Sequence, residues 1–167
     1  MGGPRGAFYR VQKYGGAPPA LPPKLHWFEW EAYLTWFSGI YLLILVYWMS
    51  PSMMLSPDGP VSHLAAVAIG LATLVVGYKV YDVACQALAE RPALLAAALI
   101  GFSAAVDYGL YQVLSPRAAY LHVGAMLGTW MAGNVREVII PGQRAMVEAM
   151  VAGRPPPVER GRAGALR

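Results

Sequence analysis

The sequence predicts an all-α, polytopic membrane bundle of about four transmembrane helices plus a short interfacial helix. Three observations predict it. Only 13% of the 167 residues are charged while 57% are hydrophobic, against about 25% charged in an ordinary soluble domain. Apolar runs near the roughly 20 residues that a spanning helix needs recur along the chain, separated by Pro, Gly and polar turns. Lys and Arg concentrate in alternate connecting stretches, as the positive-inside rule requires of a chain that crosses repeatedly.

Residues 1–26 form a basic, Pro- and Gly-rich lead-in, expected on the cytoplasmic side. Gly2-Gly3-Pro4 and the Pro-rich run from Ala17 to Pro23 cannot hold a helix, and no uninterrupted apolar core for a signal peptide precedes Leu25. The membrane domain is expected over residues 27–140. Its first helix opens on an aromatic collar, Trp27, Trp30, Tyr33 and Trp36, of the amphipathic kind that sits at headgroup depth. It stays uncharged from Ala32 to Met49 and ends at Ser50-Pro51. A second helix runs from about Val61 to Val83, with Lys79 and Asp82 three residues apart so that they can pair or snorkel.

The short link Glu90-Arg91-Pro92 turns the chain into a third helix, about Ala93 to Leu114, which contains Asp107. After Ser115-Pro116-Arg117 a fourth helix, about Ala118 to Ile140, carries His122, Asn134, Arg136 and Glu137, and is expected to stop at Pro141-Gly142. Residues 141–167 then supply a short interfacial helix, Gln143 to Ala152, ended by Gly153 and three prolines, and a basic tail. Gly101, Ala105 and Gly109 recur every fourth residue in the third helix. Gly124 and Gly128, with Gly133 beyond, do nearly so in the fourth, the spacing of helices that pack closely in lipid.

Charge counting sets the orientation. Arg5, Arg10, Lys13 and Lys24 precede the first helix, no Lys or Arg follows it before the second, Lys79 and Arg91 lie on the third side, and only Arg117 on the fourth. The tail carries Arg144, Arg154, Arg160, Arg162 and Arg167, so both termini are predicted to be cytoplasmic. The net charge of +4 is thereby a topology signal and calls for no nucleic acid. The single cysteine, Cys85, excludes an internal disulfide framework and a four-cysteine zinc site, and no metal site is expected. There is no Cys-x-x-Cys-His, no Walker loop, no dinucleotide fingerprint and no nucleophile elbow.

Ionisable groups within apolar segments are costly and mark candidate sites. His122 lies about one turn into the fourth helix, where a neutral imidazole either ligates a haem iron, relays protons or bonds a neighbouring helix. A b-type haem needs a second histidine at matching depth, and His63 is the weaker candidate for it. His26 and Glu31, beside the collar, and Asp107, beside Tyr108, are the candidates for catalytic groups, against interfacial anchoring and a structural hydrogen bond.

Several stretches together resemble a known family. Gly-Gly-x-x-x-x-Phe-Tyr-x-x-x-Lys-Tyr at Gly2 to Tyr14, Leu25-His26-Trp27-Phe28, Trp30-Glu31-Ala32-Tyr33 and Thr35-Trp36-Phe37-Ser38-Gly39 are followed in order by Val76-Gly77-Tyr78-Lys79-Val80-Tyr81-Asp82. The run Arg117 to Thr129, then Ala132-Gly133-Asn134-Val135 and Val138 to Arg144, completes the pattern. The chain resembles the membrane-bound bacterial urate oxidase (urate hydroxylase or dehydrogenase) N-terminal domain family over nearly its whole length. That resemblance implies a multi-pass protein of the bacterial inner membrane that oxidises urate to 5-hydroxyisourate in purine breakdown and passes electrons to a cytochrome c domain or protein. Haem is implied either as b-type in the membrane or as haem c on a missing domain or partner.

The chain departs from the family pattern in four respects. It lacks a preceding histidine-containing helix and the following His-Asn-Asn-Tyr-type segment, Glu29 stands where a basic residue is expected, and Arg136-Glu137 replace an apolar pair. A fragment or split gene product is the expectation, partnered by the bilayer, by the remaining half or a second copy, and by the cytochrome. The competing expectations are a non-catalytic scaffold or electron-transfer subunit, and a small transporter-like bundle using Asp107 and His122.

Overall fold

The computed structural model describes Pro18, Ala20, Leu21, residues 27–56 and residues 59–167. The described residues are helical, with one isolated bridge between Leu55 and Leu114 in place of any strand. Helix α1 (Glu29–Leu43) ends in a π-helical turn, Ile44–Trp48, and α2 (Pro51–Met54) is a single turn. Helices α3 (His63–Ala87), α4 (Pro92–Tyr111) and α5 (Pro116–Asn134) form the body of the bundle. A second π-helical turn, Val135–Ile139, leads into α6 (Ile140–Val151), and α7 (Val158–Leu166) folds back on α6.

Local chemistry starts the helices. Ser62 and Ser115 accept hydrogen bonds from the Ala65 and Ala118 amides, and Pro92 and Pro116 occupy first-turn positions where no amide hydrogen is needed. Among the described residues three helices are long and apolar enough to cross a membrane: Glu29–Trp48, His63–Ala87 and Pro92–Tyr111. Their outward faces carry Leu34, Phe37, Tyr41, Leu71, Val75 and Ile100, all exposed. In water this would be a large apolar patch; against acyl chains it is the expected surface. The predicted fourth spanning helix, α5, is 19 residues long but falls short of the others in apolarity. It packs against α1, α3 and α4, and a helix enclosed by other helices needs less lipid-compatible surface.

Contacts fix the helix directions. Gly70 meets His122, Gly77 meets Met126 and Tyr81 meets Asn134, so α3 and α5 run parallel. Trp48 bonds His122 while Trp36 bonds Thr129, so α1 runs antiparallel to α5. Successive long helices therefore alternate in direction, as the loop charges predict for α1, α3, α4 and α5.

Three sequence expectations are corrected. The helix does not stop at Pro141-Gly142: the Ile140 amide bonds the Val135 carbonyl, five residues back, and the widened turn lets Pro141 sit at the start of α6 without breaking the rod. Gly142 then takes the Arg160 carbonyl 3.2 Å from where a Cβ would be, which seats α7. Asp82 does not pair with Lys79; its carboxylate accepts from Arg167 at 2.6 Å and from Gln86 at 2.9 Å, while Lys79 lies over the Tyr78 ring. Burial works against the Arg167 charge, and Asp82 more than offsets it, so the guanidinium pKa is pushed up. Glu29 is paired by Arg144 at 2.9 Å, tying the start of α1 to α6. Of the small-residue stripes, Gly101, Gly109, Gly124 and Gly128 face open space, and Gly133 alone has a close neighbour.

The Asp82–Arg167 pair is the clearest tether of α7 to the bundle. In Asp82→Ala, hydrogen exchange across α7 is expected to lose roughly tenfold protection, the equivalent of about 1–2 kcal/mol for a charged hydrogen bond, while α3 and α5 stay protected.

Candidate functional site

Both membrane histidines converge on Trp48. The π-helical turn at Ile44–Trp48 widens the end of α1 and presents the Trp48 side chain to one histidine and its main chain to the other. Its Nε1–H donates to His122 Nε2 at 2.9 Å. Because an indole nitrogen only donates, Nε2 must accept, and His122 Nδ1–H donates in turn to the Ala118 carbonyl at 2.7 Å. The tautomer of a neutral imidazole is thus set from both sides. His122 is fully buried, with the Trp48 ring stacked on it at 6.3 Å and Tyr47 edge-on at 6.5 Å. Gly70 makes the space: a Cβ there would lie 2.6 Å from His122 Nε2. His63 Nε2–H donates to the backbone carbonyl of Trp48 at 2.8 Å, which leaves its Nδ1 buried and without a partner among the described residues.

This arrangement does not fit a haem between the two histidines. Both nitrogens of His122 are consumed inside the chain, Gly70 presses on the ligating edge, and Trp48 occupies the gap toward His63. No group of three or more His, Cys, Asp or Glu able to hold a metal ion occurs among the described residues.

The other candidates lie apart. Asp107 is half-buried on α4 and makes no hydrogen bond or ion pair among the described residues. Glu31 is exposed on α1 and lines a long apolar groove. His26 lies outside the described residues.

Two clefts flank α1. The larger, about 860 Å³, runs between α1 and α5 from Glu31 and Val135 at one end to Tyr47 and Leu121 at the other, with Gly39, Gly124 and Gly128 among its walls. The smaller, about 410 Å³, lies at the α1 N-terminal end, opposite the histidines, and is walled by Trp30, Phe37, Tyr78 and Gly133 with Arg136 and Glu137 at its edge.

Residues 4–167 match the family described as "Urate oxidase N-terminal". The chain belongs to that family. No curated protein and no solved structure matches it. The urate oxidase N-terminal match spans the collar, the histidine constellation and both clefts.

Sequence reasoning placed His63 and His122 at one depth but missed Trp48, Gly70 and the Tyr78–Glu137 contact. A tryptophan closing the first helix, at the depth of both histidines, was the available signal. For this urate oxidase N-terminal chain, Trp48→Phe keeps the ring and removes the donor. It should leave the buried His122 Nε2 unsatisfied and cost about 1–3 kcal/mol, read as a lower unfolding midpoint in detergent. Gly70→Ala, which has no room beside a doubly held imidazole, should cost a similar amount. Any Soret band shown by the complete protein should persist in His122→Ala; its loss would reinstate His122 as an axial ligand.

Proposed function

We propose that this chain is the membrane segment of a urate-oxidising, cytochrome-linked oxidoreductase of purine catabolism in the bacterial inner membrane. The carrying observation is the family match over residues 4–167. The reaction balances as urate plus water giving 5-hydroxyisourate, two protons and two electrons, and the electrons need a one-electron acceptor such as a pair of ferric cytochromes. A covalently held haem c would lie outside this sequence, because Cys85 is the sole cysteine and no Cys-x-x-Cys-His is present.

With α5 taken as a fourth crossing, the Lys and Arg distribution puts both termini in the cytoplasm. The Glu29–Arg144 end then faces inward and the Trp48–His63 end outward. One observation favours a second reading, that this part is a scaffold or electron-transfer subunit beside a separate haem protein: both ring nitrogens of His122 and the Nε2 of His63 are engaged in bonds within the bundle.

The test is urate-dependent reduction of added cytochrome c by membranes carrying the complete gene, compared with membranes in which residues 27–151 are deleted. Reduction in the first and none in the second supports the oxidoreductase. Urate consumption that survives the deletion would move the reaction to another part of the protein.

A further inference from the structure

We propose that the cleft between the start of α1 and the α5–α6 junction binds a planar, negatively charged ring that also carries N–H groups. The urate reading above supplies the choice of probe, and the inference rests on that reading only to this extent.

The walls are aromatic on two sides. Trp30, Tyr33 and Phe37 recur at helical spacing along α1, with Trp30 64% and Phe37 58% exposed. Tyr78 approaches from α3, its ring laid across Gly133 where any side chain would collide with it. Ala132 and Gly133 line the same cleft, and exposed aromatic rings accept another flat ring by stacking or edge contact. The volume of about 410 Å³ lies within the range of roughly 300–1,000 Å³ for small-molecule pockets.

The polar groups supply the rest of the specificity. Tyr78 donates its hydroxyl hydrogen to Glu137 Oε2 at 2.8 Å, which fixes the carboxylate at the rim. Arg136, its chain neighbour, makes no hydrogen bond or ion pair among the described residues. Elsewhere on the same end, Arg144 is taken by Glu29 and Arg167 by Asp82. Arg136 is therefore a free planar fork of donors beside a held acceptor. A guanidinium matches adjacent anionic oxygens on one edge of a ring, and a carboxylate accepts from ring N–H groups. A simple phosphate would satisfy Arg136 but be repelled by Glu137, so the pair selects a ligand bearing both kinds of group. Trp36 does not compete, since its Nε1–H is committed to Thr129 at 3.0 Å.

The experiment is equilibrium dialysis of labelled urate against the complete protein in nanodiscs of zwitterionic lipid. Arg136→Gln is expected to raise the Kd at least tenfold, Arg136→Lys to raise it less, and Trp30→Leu to raise it several-fold. Arg154→Gln, in the exposed link after α6, should leave it unchanged. Adenine, planar but neutral, should bind at least tenfold more weakly than urate. No urate binding by the parent, an unchanged Kd in both Arg136→Gln and Trp30→Leu, or equal binding of adenine overturns the site. Loss of urate binding when anionic lipid is added to the nanodiscs also overturns it, and identifies a headgroup belt instead. Binding that depends on Arg136 in a protein that never reduces cytochrome c keeps the site and removes the urate-oxidising reading. Turnover with an unchanged KM in Arg136→Gln keeps that reading and removes the site.

Discussion

The close approach of α3 to α5 is the constraint on which the bundle depends. In lipid there is little hydrophobic drive between helices, so association relies on packing and on interhelical hydrogen bonds. Here packing is achieved by inserting large side chains of one helix against glycines of the other. His122 and Met126 of α5 lie against Gly70 and Gly77 of α3, and Tyr78 of α3 lies against Gly133 of α5. With His122 held in that position, its outward nitrogen needs a donor, and Trp48 at the end of α1 provides it. With α3 and α5 parallel, Tyr81 stacks on Trp130 at 4.7 Å, and Phe102 brings α4 onto the same indole at 6.2 Å. Each remaining long helix is thus docked onto a residue that the α3–α5 seam positions.

That seam was hard to read in advance for a physical reason. Small residues four apart suggest that two backbones approach symmetrically, and this pattern selects Gly124-x-x-x-Gly128 and Gly101 to Gly109. Those glycines meet nothing within 4 Å, because their faces point to the groove and to the outside. The glycines that do the packing lie seven apart on α3 and face bulky side chains. Their spacing follows the knobs of the partner helix, which local sequence cannot supply. The helices themselves were legible, since the apolar run lengths and the serine and proline starts are local properties, and α1, α3, α4 and α5 all occur close to where those signals put them.

Charges follow the same division. The alternation of Lys and Arg by loop agrees with the alternation of helix direction, because both depend only on counting along the chain. Individual pairings depend on tertiary contacts. Asp82 finds Arg167, 85 residues away, in preference to Lys79 three residues away, and Glu29 finds Arg144, 115 residues away. The candidate site divides likewise. Helix depth brought His63 and His122 to one level, but Trp48, whose side chain bonds one and whose main-chain carbonyl bonds the other, lies outside both their helices, and the π-helical turn that presents it has no simple sequence signature.

Three charges, Glu29, Arg136 and Glu137, share one end of the molecule. Glu29 is neutralised by Arg144, whose guanidinium also lies 5.7 Å from the Trp27 ring, so its charge is absorbed into the junction of α1 and α6. Glu137 is absorbed in the same manner by the Tyr78 hydroxyl. Arg136 is not absorbed. Trp30, Trp36 and Phe37 all line the smaller cleft at this end, with the Trp36 Nε1–H committed to Thr129. A generic interfacial belt needs aromatic rings and basic residues but has no use for a carboxylate held at its rim by a tyrosine bond. A held carboxylate and a guanidinium without a partner among the described residues, beside exposed aromatic rings, bring acceptor, donor and stacking surface together. That combination separates this end of the bundle from the histidine end, where the Trp48 indole and His122 Nδ1–H are spent inside the bundle.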